Sequence, residues 1–232
     1  MNVARRFDAV VFDAGGVLVV PTPDVLGPLL AEYGGDGSAD AIVRAHYAGM
    51  RAQDLHSWDE QSWRVYARAA AASVGVPSEH NEAAATEILT AMRNDTDLWR
   101  WPLNDAVRAL RALTDAGVAM AVVSNADGQI EATLRREGVC QVGPGAGALM
   151  ATVVDSFVVG VSKPDPEIFS YALDALGVVP ERVIYIGDSV SRDVVGARNA
   201  GLHPLHLDPF DDHPDADHDR IRAISDVFDW LG

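Results

Sequence analysis

The sequence predicts an α/β fold, a doubly wound parallel sheet with an all-helical domain inserted into it. Three observations carry this. Four short apolar runs of strand length, rich in valine and isoleucine, recur along the chain. Stretches with helical spacing separate the later ones. From Thr22 to Arg100 the chain shows helical patches, many alanines and no convincing strand. Near-continuous apolar runs suit strands covered on both faces, and strands alternating with helices give a parallel sheet.

The first run, Ala9–Phe12, stops on Asp13 and is followed after Ala14 by two glycines. The insert then occupies 21–101, with helical patches near 24–33, 39–51, 58–75 and 79–93, broken by Gly34-Gly35-Asp36-Gly37 and Gly75-Val76-Pro77-Ser78. Trp58, Trp63, Trp99 and Trp101 read as packing within the insert or at its hinge. After it, Val107, Leu110 and Leu113 space a helix with Asn104 or Asp105 as its cap and Gly117 as its stop. The second run, Val118–Val123, ends at Ser124 and Asn125. Gly143–Met150 lacks the lysine and serine of a phosphate loop and reads as a flexible connector. The third run is Ala151–Val154. The helix through Ile168, Ala172, Ala175 and Leu176 ends at Gly177. The fourth run, Arg182–Ile186, leads into "GDSVSRD" and a helix over Val194–Ala200. A weaker strand follows at His203–Leu207. The stretch Asp208–Asp219 reads as an acidic, polar loop, and a short helix closes the chain over 220–231. The histidines from His203 to His218 resemble a metal cluster, but their irregular spacing among aspartates reads as a solvated loop. The core therefore comprises 1–20 and 102–232.

With 232 residues, 48% hydrophobic and 22% charged, the chain can build one large core with an insert. The lone Cys140 reads as a structural thiol. A net charge of −16 argues against a nucleic-acid partner, because phosphate backbones demand a basic face. No apolar run nears the ~18 residues of a membrane span, and no leader pattern opens the chain, so the expectation is a cytoplasmic protein without a membrane partner. Oligomeric state is not legible. The acidic field repels small anions, so a site for one must reverse the sign locally.

Ligands of such sheets gather at the carboxyl ends of the strands. There the sequence sets Asp13, then Ser124 and Asn125, then Lys163 in "GVSKPDPEIF", then Asp188 and Asp193. Three carboxylates on one edge repel one another unless a divalent cation neutralises them, and oxygen-only ligands favour Mg²⁺. Lys163, with the Ser124 hydroxyl and nearby backbone N–H groups, offers positive potential to a phosphate.

The motifs "VVFDAGGVL", "AVVSNADG", "SKPDPEIF" and "VIYIGDSVSRDVVGARNAG", in this order, resemble those of the haloacid dehalogenase-like hydrolase superfamily, and the insert looks like its C1-type helical cap. The resemblance implies a Mg²⁺-dependent phosphatase that acts on a small phosphorylated metabolite through an aspartyl-phosphate. It assigns Asp13 as nucleophile, the Gly15 main-chain carbonyl and Asp188 as metal ligands, and Asp193 as a ligand directly or through water. Asp13 would touch the metal as well. Ser124 and Asn125 would bind the phosphoryl group, and Lys163 would stabilise both Asp13 and that group.

Position 15 departs from the family pattern, which places there an aspartate that protonates the leaving alcohol and then activates water. A positioned acid or base is worth about 10²–10⁴-fold in rate. Three expectations follow from its loss: replacement by Asp24, His46, Asp54 or His56; substrates with good leaving groups; or a weak enzyme that mainly binds a phosphorylated ligand. Dehalogenases of the family also lack the second aspartate. They put tyrosine there and use no metal, and so have no need of the paired acids in "GDSVSRD".

Overall fold

The computed structural model describes residues 6–56, 61–95 and 97–232. The chain forms two compact units, Met1–Val19 with Pro102–Gly232, and Val20–Trp101. Its strands are β1 (Ala9–Phe12), β2 (Val19–Pro21), β3 (Trp99–Pro102), β4 (Ala119–Ser124), β5 (Cys140–Val142), β6 (Ala148–Met150), β7 (Val153–Asp155), β8 (Val183–Gly187), β9 (His203–Leu207) and β10 (Arg220–Ile221). Its helices are α1 (Pro23–Glu32), α2 (Ala39–Asp54), α3 (Ser62–Ser73), α4 (Ser78–Asn94), α5 (Asn104–Asp115), α6 (Ile130–Arg136), α7 (Ser156–Val159), α8 (Glu167–Leu176), α9 (Val195–Asn199) and α10 (Phe228–Leu231).

The first unit is built on a six-stranded sheet in the order β10-β9-β8-β1-β4-β7, parallel throughout. Phe12 lies opposite both Val122 and Ile186, so the carboxyl ends of β1, β4 and β8 fall within two residues of one another. That register brings Asp13, Ser124 and Asp188 to one edge of the sheet. Every residue of β1 and β8 is buried, as their unbroken apolar character requires. On one face Val11, Val123, Val183 and Tyr185 pack with Ile168, Phe169 and Ala172 of α8 and Ala197 of α9.

The second unit holds α1 to α4 around Leu26, Leu30, Ile42, Tyr66 and Ile88. Gly49 of α2 lets the helices close up, since a Cβ there would lie 2.4 Å from the Tyr66 ring of α3. Trp99 packs against this core and Trp63 stacks edge-on to Tyr66, whereas Trp101 is exposed. Trp58 and the start of the expected 58–75 helix fall outside the described residues. Among the described residues no helix is long and apolar enough to cross a membrane.

Several expectations need correction. The region 22–100 is not free of strand, because Trp99 and its neighbours pair with β2 as a two-stranded ribbon too short to show any period. The glycine-rich segment 143–150 is not a flexible connector. Its end forms β6 beside β5, with Ala148 and Met150 buried. The Gln141 amide accepts the Gly147 N–H (2.9 Å) and donates to the Gly147 carbonyl, supplying the bonds that a glycine loop cannot make with side chains of its own. The third strand sits at Val153–Asp155, later than the apolar run suggests, and its last residue, Asp155, caps α7 by accepting the Phe157 N–H. Asp105 does not cap α5: its carboxylate accepts the Ile224 N–H (2.8 Å) and so ties down the closing segment. That segment is not one helix but β10, a 3₁₀ turn at Ile224–Val227, and α10. Cys140 is buried, which pushes its thiol up to about 12.

Phe169 is fully buried and meets the Tyr185 ring edge-on, at 5.0 Å between centroids. Phe169→Ala should cost about 3–5 kcal/mol of stability, read from urea denaturation. A loss below about 1 kcal/mol would show that this face repacks freely.

Candidate active site

Lys163 stands at the centre of the strand ends, its side chain 1% exposed. Its ammonium reaches Asp13 Oδ1 at 2.9 Å, Asp193 Oδ1 at 2.7 Å and the Tyr185 hydroxyl at 2.8 Å. A lysine has three protons to donate, and these partners account for all of them. Tyr185 accepts from the ammonium and donates its own proton to Asp193 Oδ1 at 2.8 Å. The lysine main chain is held as firmly. Asn125 Oδ1 accepts the Lys163 N–H (2.8 Å), while its Nδ2 donates to the Lys163 carbonyl (3.0 Å). The Asn125 loop is tied in turn by Asp155, which accepts the Gly128 N–H, and by Ser156, whose hydroxyl accepts the Ala126 N–H.

Asp13 follows β1, and its N–H donates to the Ile186 carbonyl. Its Oδ1 accepts from both Lys163 and the Ala14 N–H (2.7 Å). Asp193 arrives on a π-helical turn, Val190–Val194, and its Oδ2 accepts the Ser189 N–H at 3.0 Å. The approach demands a glycine at 187, where a Cβ would lie 2.3 Å from Asp193 Cβ. Ser124 is buried at the end of β4. In the loop after β1 the left-handed turn falls at Gly16 (φ 77°), and Gly15 bridges to Val19.

Asp13, Asp188 and Asp193 each offer a ligand oxygen, all within 4.8 Å of one another. Three buried carboxylates against one ammonium leave a deficit of positive charge. A divalent cation of the oxygen-seeking kind fits that donor set. The strain appears in the titration. Burial, with Asp193 and Asp188 adding to it against the pull of Lys163, raises Asp13 to about 6. Burial also works against ionised Asp193, but Lys163, both as charge and as donor, outweighs it and holds that carboxyl below the usual range. Burial works against the Lys163 cation too, yet Asp13 and Asp193 keep its pKa above the ordinary lysine value.

The structure thus brings Asp13, Lys163, Asp188 and Asp193 together, with Ser124 and Asn125 at the same sheet edge. Of the substitutes considered for the missing acid, all four belong to the second unit. His46 is no free acid: it is buried in that unit's core, 3.1 Å from the Tyr66 hydroxyl and edge-on to Trp99. Asp24 opens α1, Asp54 ends α2 and His56 is exposed.

Two residues escaped the sequence reading. Tyr185 was hidden inside an aliphatic strand, its polar tip the one signal available. His206 was hidden among histidines read as part of a solvated loop; the loop is present over 208–219, but for these histidines solvation is wrong. His206 and His213 are buried, and the His218 side chain is 3% exposed. The loop folds inward because Asp208 accepts the N–H groups of Asp212 and His213 and pairs with Arg220, while β10 adds to β9.

For a carboxyl raised from 3.8 to about 6 on folding, the stabilising contribution is complete below 3.8 and lost as pH rises through about 6. In metal-free protein, the urea midpoint of wild type measured relative to Asp13→Asn should therefore fall between about pH 4 and pH 7. A difference that stays flat or rises across that window would contradict the burial assigned to Asp13.

The chain is 36% identical over 135 residues to phosphoserine phosphatase of Thermus thermophilus, covering 56% of this chain and 51% of that protein. It is 28% identical over 248 residues to N-acetylmuramic acid 6-phosphate phosphatase of Pseudomonas aeruginosa, covering 97% and 96%. It spans about half, or less, of the length of the first curated relatives it matches. Among solved structures, the putative HAD-hydrolase YfnB of Bacillus subtilis shares the fold with a TM-score of 0.62 at 16% identity, over 98% of this chain and 99% of that one. Solved 2-haloacid dehalogenases share the fold as well, so it does not separate the two chemistries. The model of the haloacid dehalogenase-like hydrolases matches residues 7–201, and the chain belongs to that family.

Proposed function

We propose that the protein is a Mg²⁺-dependent phosphatase that cleaves a small phosphorylated metabolite through an aspartyl-phosphate on Asp13. The observation that carries this is the buried carboxylate trio of Asp13, Asp188 and Asp193, two of which pair with Lys163; a metal-free dehalogenation has no use for it. Similarity to proteins named as phosphatases supports it.

Asp13 attacks phosphorus through Oδ2, since Oδ1 is occupied by Lys163 and the Ala14 N–H. The P–O bond to the leaving group breaks as the aspartyl P–O bond forms. Water then attacks phosphorus, returning the Asp13 carboxylate and releasing inorganic phosphate. Lys163 keeps Oδ1 in place and spreads positive charge over the transferred group. Ser124 contacts that group through its hydroxyl. Asn125 contributes through its backbone N–H, because its amide is engaged in placing Lys163. Asp13, Asp188, the Gly15 carbonyl and Asp193, directly or through water, would hold the metal. When bound, Mg²⁺ supplies the charge that lets anionic phosphate approach acidic groups.

Gly15 offers no proton to the leaving oxygen and no base to the water. Both half-reactions slow, the first least for aryl or other good leaving groups. The second then limits turnover, and the phosphorylated aspartate accumulates.

With p-nitrophenyl phosphate the protein should show a Mg²⁺-dependent burst of nitrophenol approaching one equivalent, then a slow steady rate. Asp13→Asn should lower the rate at least about 10³-fold. Chloroacetate turned over without metal, in place of the ester, would establish the dehalogenase reading. Gly15→Asp should raise steady turnover about 10²-fold or more, with a larger gain on alkyl than on aryl phosphates. Equal gains on both would show that leaving-group protonation was never limiting.

A further inference from the structure

One peptide group, the Asp188–Ser189 unit, links the end of β8 to the turn that carries Asp193, and it is bonded at both ends. Its N–H donates to Asp193 Oδ2 at 3.0 Å. Its carbonyl faces His206 Nε2 at 3.3 Å. His206 lies on β9, opposite Gly187 in the parallel register, and is 1% exposed. Beyond it the chain of contacts continues outward. His206 Nδ1 lies 3.0 Å from His218 Nε2, and His218 Nδ1 lies 3.3 Å from Asp217 Oδ1.

The acceptor at the inner end sets the direction of these bonds. A carbonyl oxygen only accepts, so the bond to Asp188 places a proton on His206 Nε2. His206 Nδ1 is then the acceptor of that ring, and the bond at 3.0 Å places a proton on His218 Nε2. His218 Nδ1 faces the Asp217 carboxylate at the outer end, where the Asp217 side chain is 84% exposed and can turn to water.

We propose that His206 is a positioning residue for the metal site: by donating to the Asp188 carbonyl, with its tautomer set by His218, it fixes the peptide that aims the Asp188 carboxylate. The inference rests on the reading of Asp188 as a metal ligand. With both ends of that peptide held, the plane cannot flip, and the Asp188 carboxylate keeps one bearing toward Asp13 and Asp193. Neither histidine touches the reacting groups. Outer partners that orient metal ligands typically matter about 10–100-fold in metal affinity.

The test titrates magnesium chloride into EDTA-stripped protein by calorimetry, with urea denaturation of the metal-free protein alongside. His206→Phe preserves ring volume and removes the donor; it should weaken Mg²⁺ binding about tenfold or more. His206→Gln retains an N–H donor and should stay within about threefold of wild type. His218→Leu releases the tautomer without replacing a strand residue and should weaken binding about threefold or more; it decides the matter if His206→Phe does not fold. Affinity within about twofold of wild type in folded His206→Phe, or in His218→Leu, would overturn the inference, as would equal losses in His206→Phe and His206→Gln. Wild-type protein that binds no magnesium would instead overturn the reading of the carboxylate site beneath it, and this inference with it.

Discussion

A single buried ammonium, that of Lys163, holds the site together. It lies between two carboxylates that would otherwise repel, and much of the neighbouring structure keeps it there. Asn125 fastens its main chain, Tyr185 takes its third proton and Phe169 backs the tyrosine ring. Gly187 leaves room for Asp193 to come close enough to pair. A buried ion pair gains little over an apolar contact in net stability, but losing one partner is costly because the other is left charged in a poor solvent. These interactions therefore serve geometry more than stability. They set the direction in which the remaining oxygen of Asp13 can act.

The same cation is too little to balance the site. Lys163 pairs with two of the three carboxylates Asp13, Asp188 and Asp193, and the protein as a whole carries −16. Asp13 bears the imbalance, its affinity for a proton raised by burial and by the neighbouring carboxylates. A divalent ion would relieve that imbalance, and under the proposed function a site that captures an anion through an acidic field has reason to leave charge unsatisfied until metal and substrate arrive. Gly15 fits the same economy of parts. A side chain there would add proton transfer without changing how charge is held, which is why its absence alters the expected kinetics and leaves the phosphate-binding logic in place.

Much of this was legible because the polar residues sit where apolar runs end. Asp13 and Asp188 follow strands whose unbroken hydrophobicity marks them as central, and a parallel register brings such ends close together. What stayed hidden depended on which side chains meet across the sheet. Tyr185 looks like any buried aromatic until Phe169 is seen behind it and Lys163 at its tip. His206 acquires its meaning from the register that sets β9 beside β8, and His218 from the fold of a loop whose composition reads as solvated. The β2–β3 and β5–β6 pairs were hidden for a simpler reason, since two to four residues cannot display a period. In the insert, His46 shows the opposite error: a chemically capable residue on a helix is used for packing against Tyr66 and Trp99.

The covalent role of Asp13 is the claim on which the functional account turns, and acid quenching followed by peptide mass spectrometry reads it directly. Protein mixed with magnesium and an aryl phosphate, then quenched within the first turnover, should carry a phosphoryl group on the peptide containing Asp13, mapped to that carboxylate. Turnover of the ester with that peptide unmodified at every quench time would contradict the account.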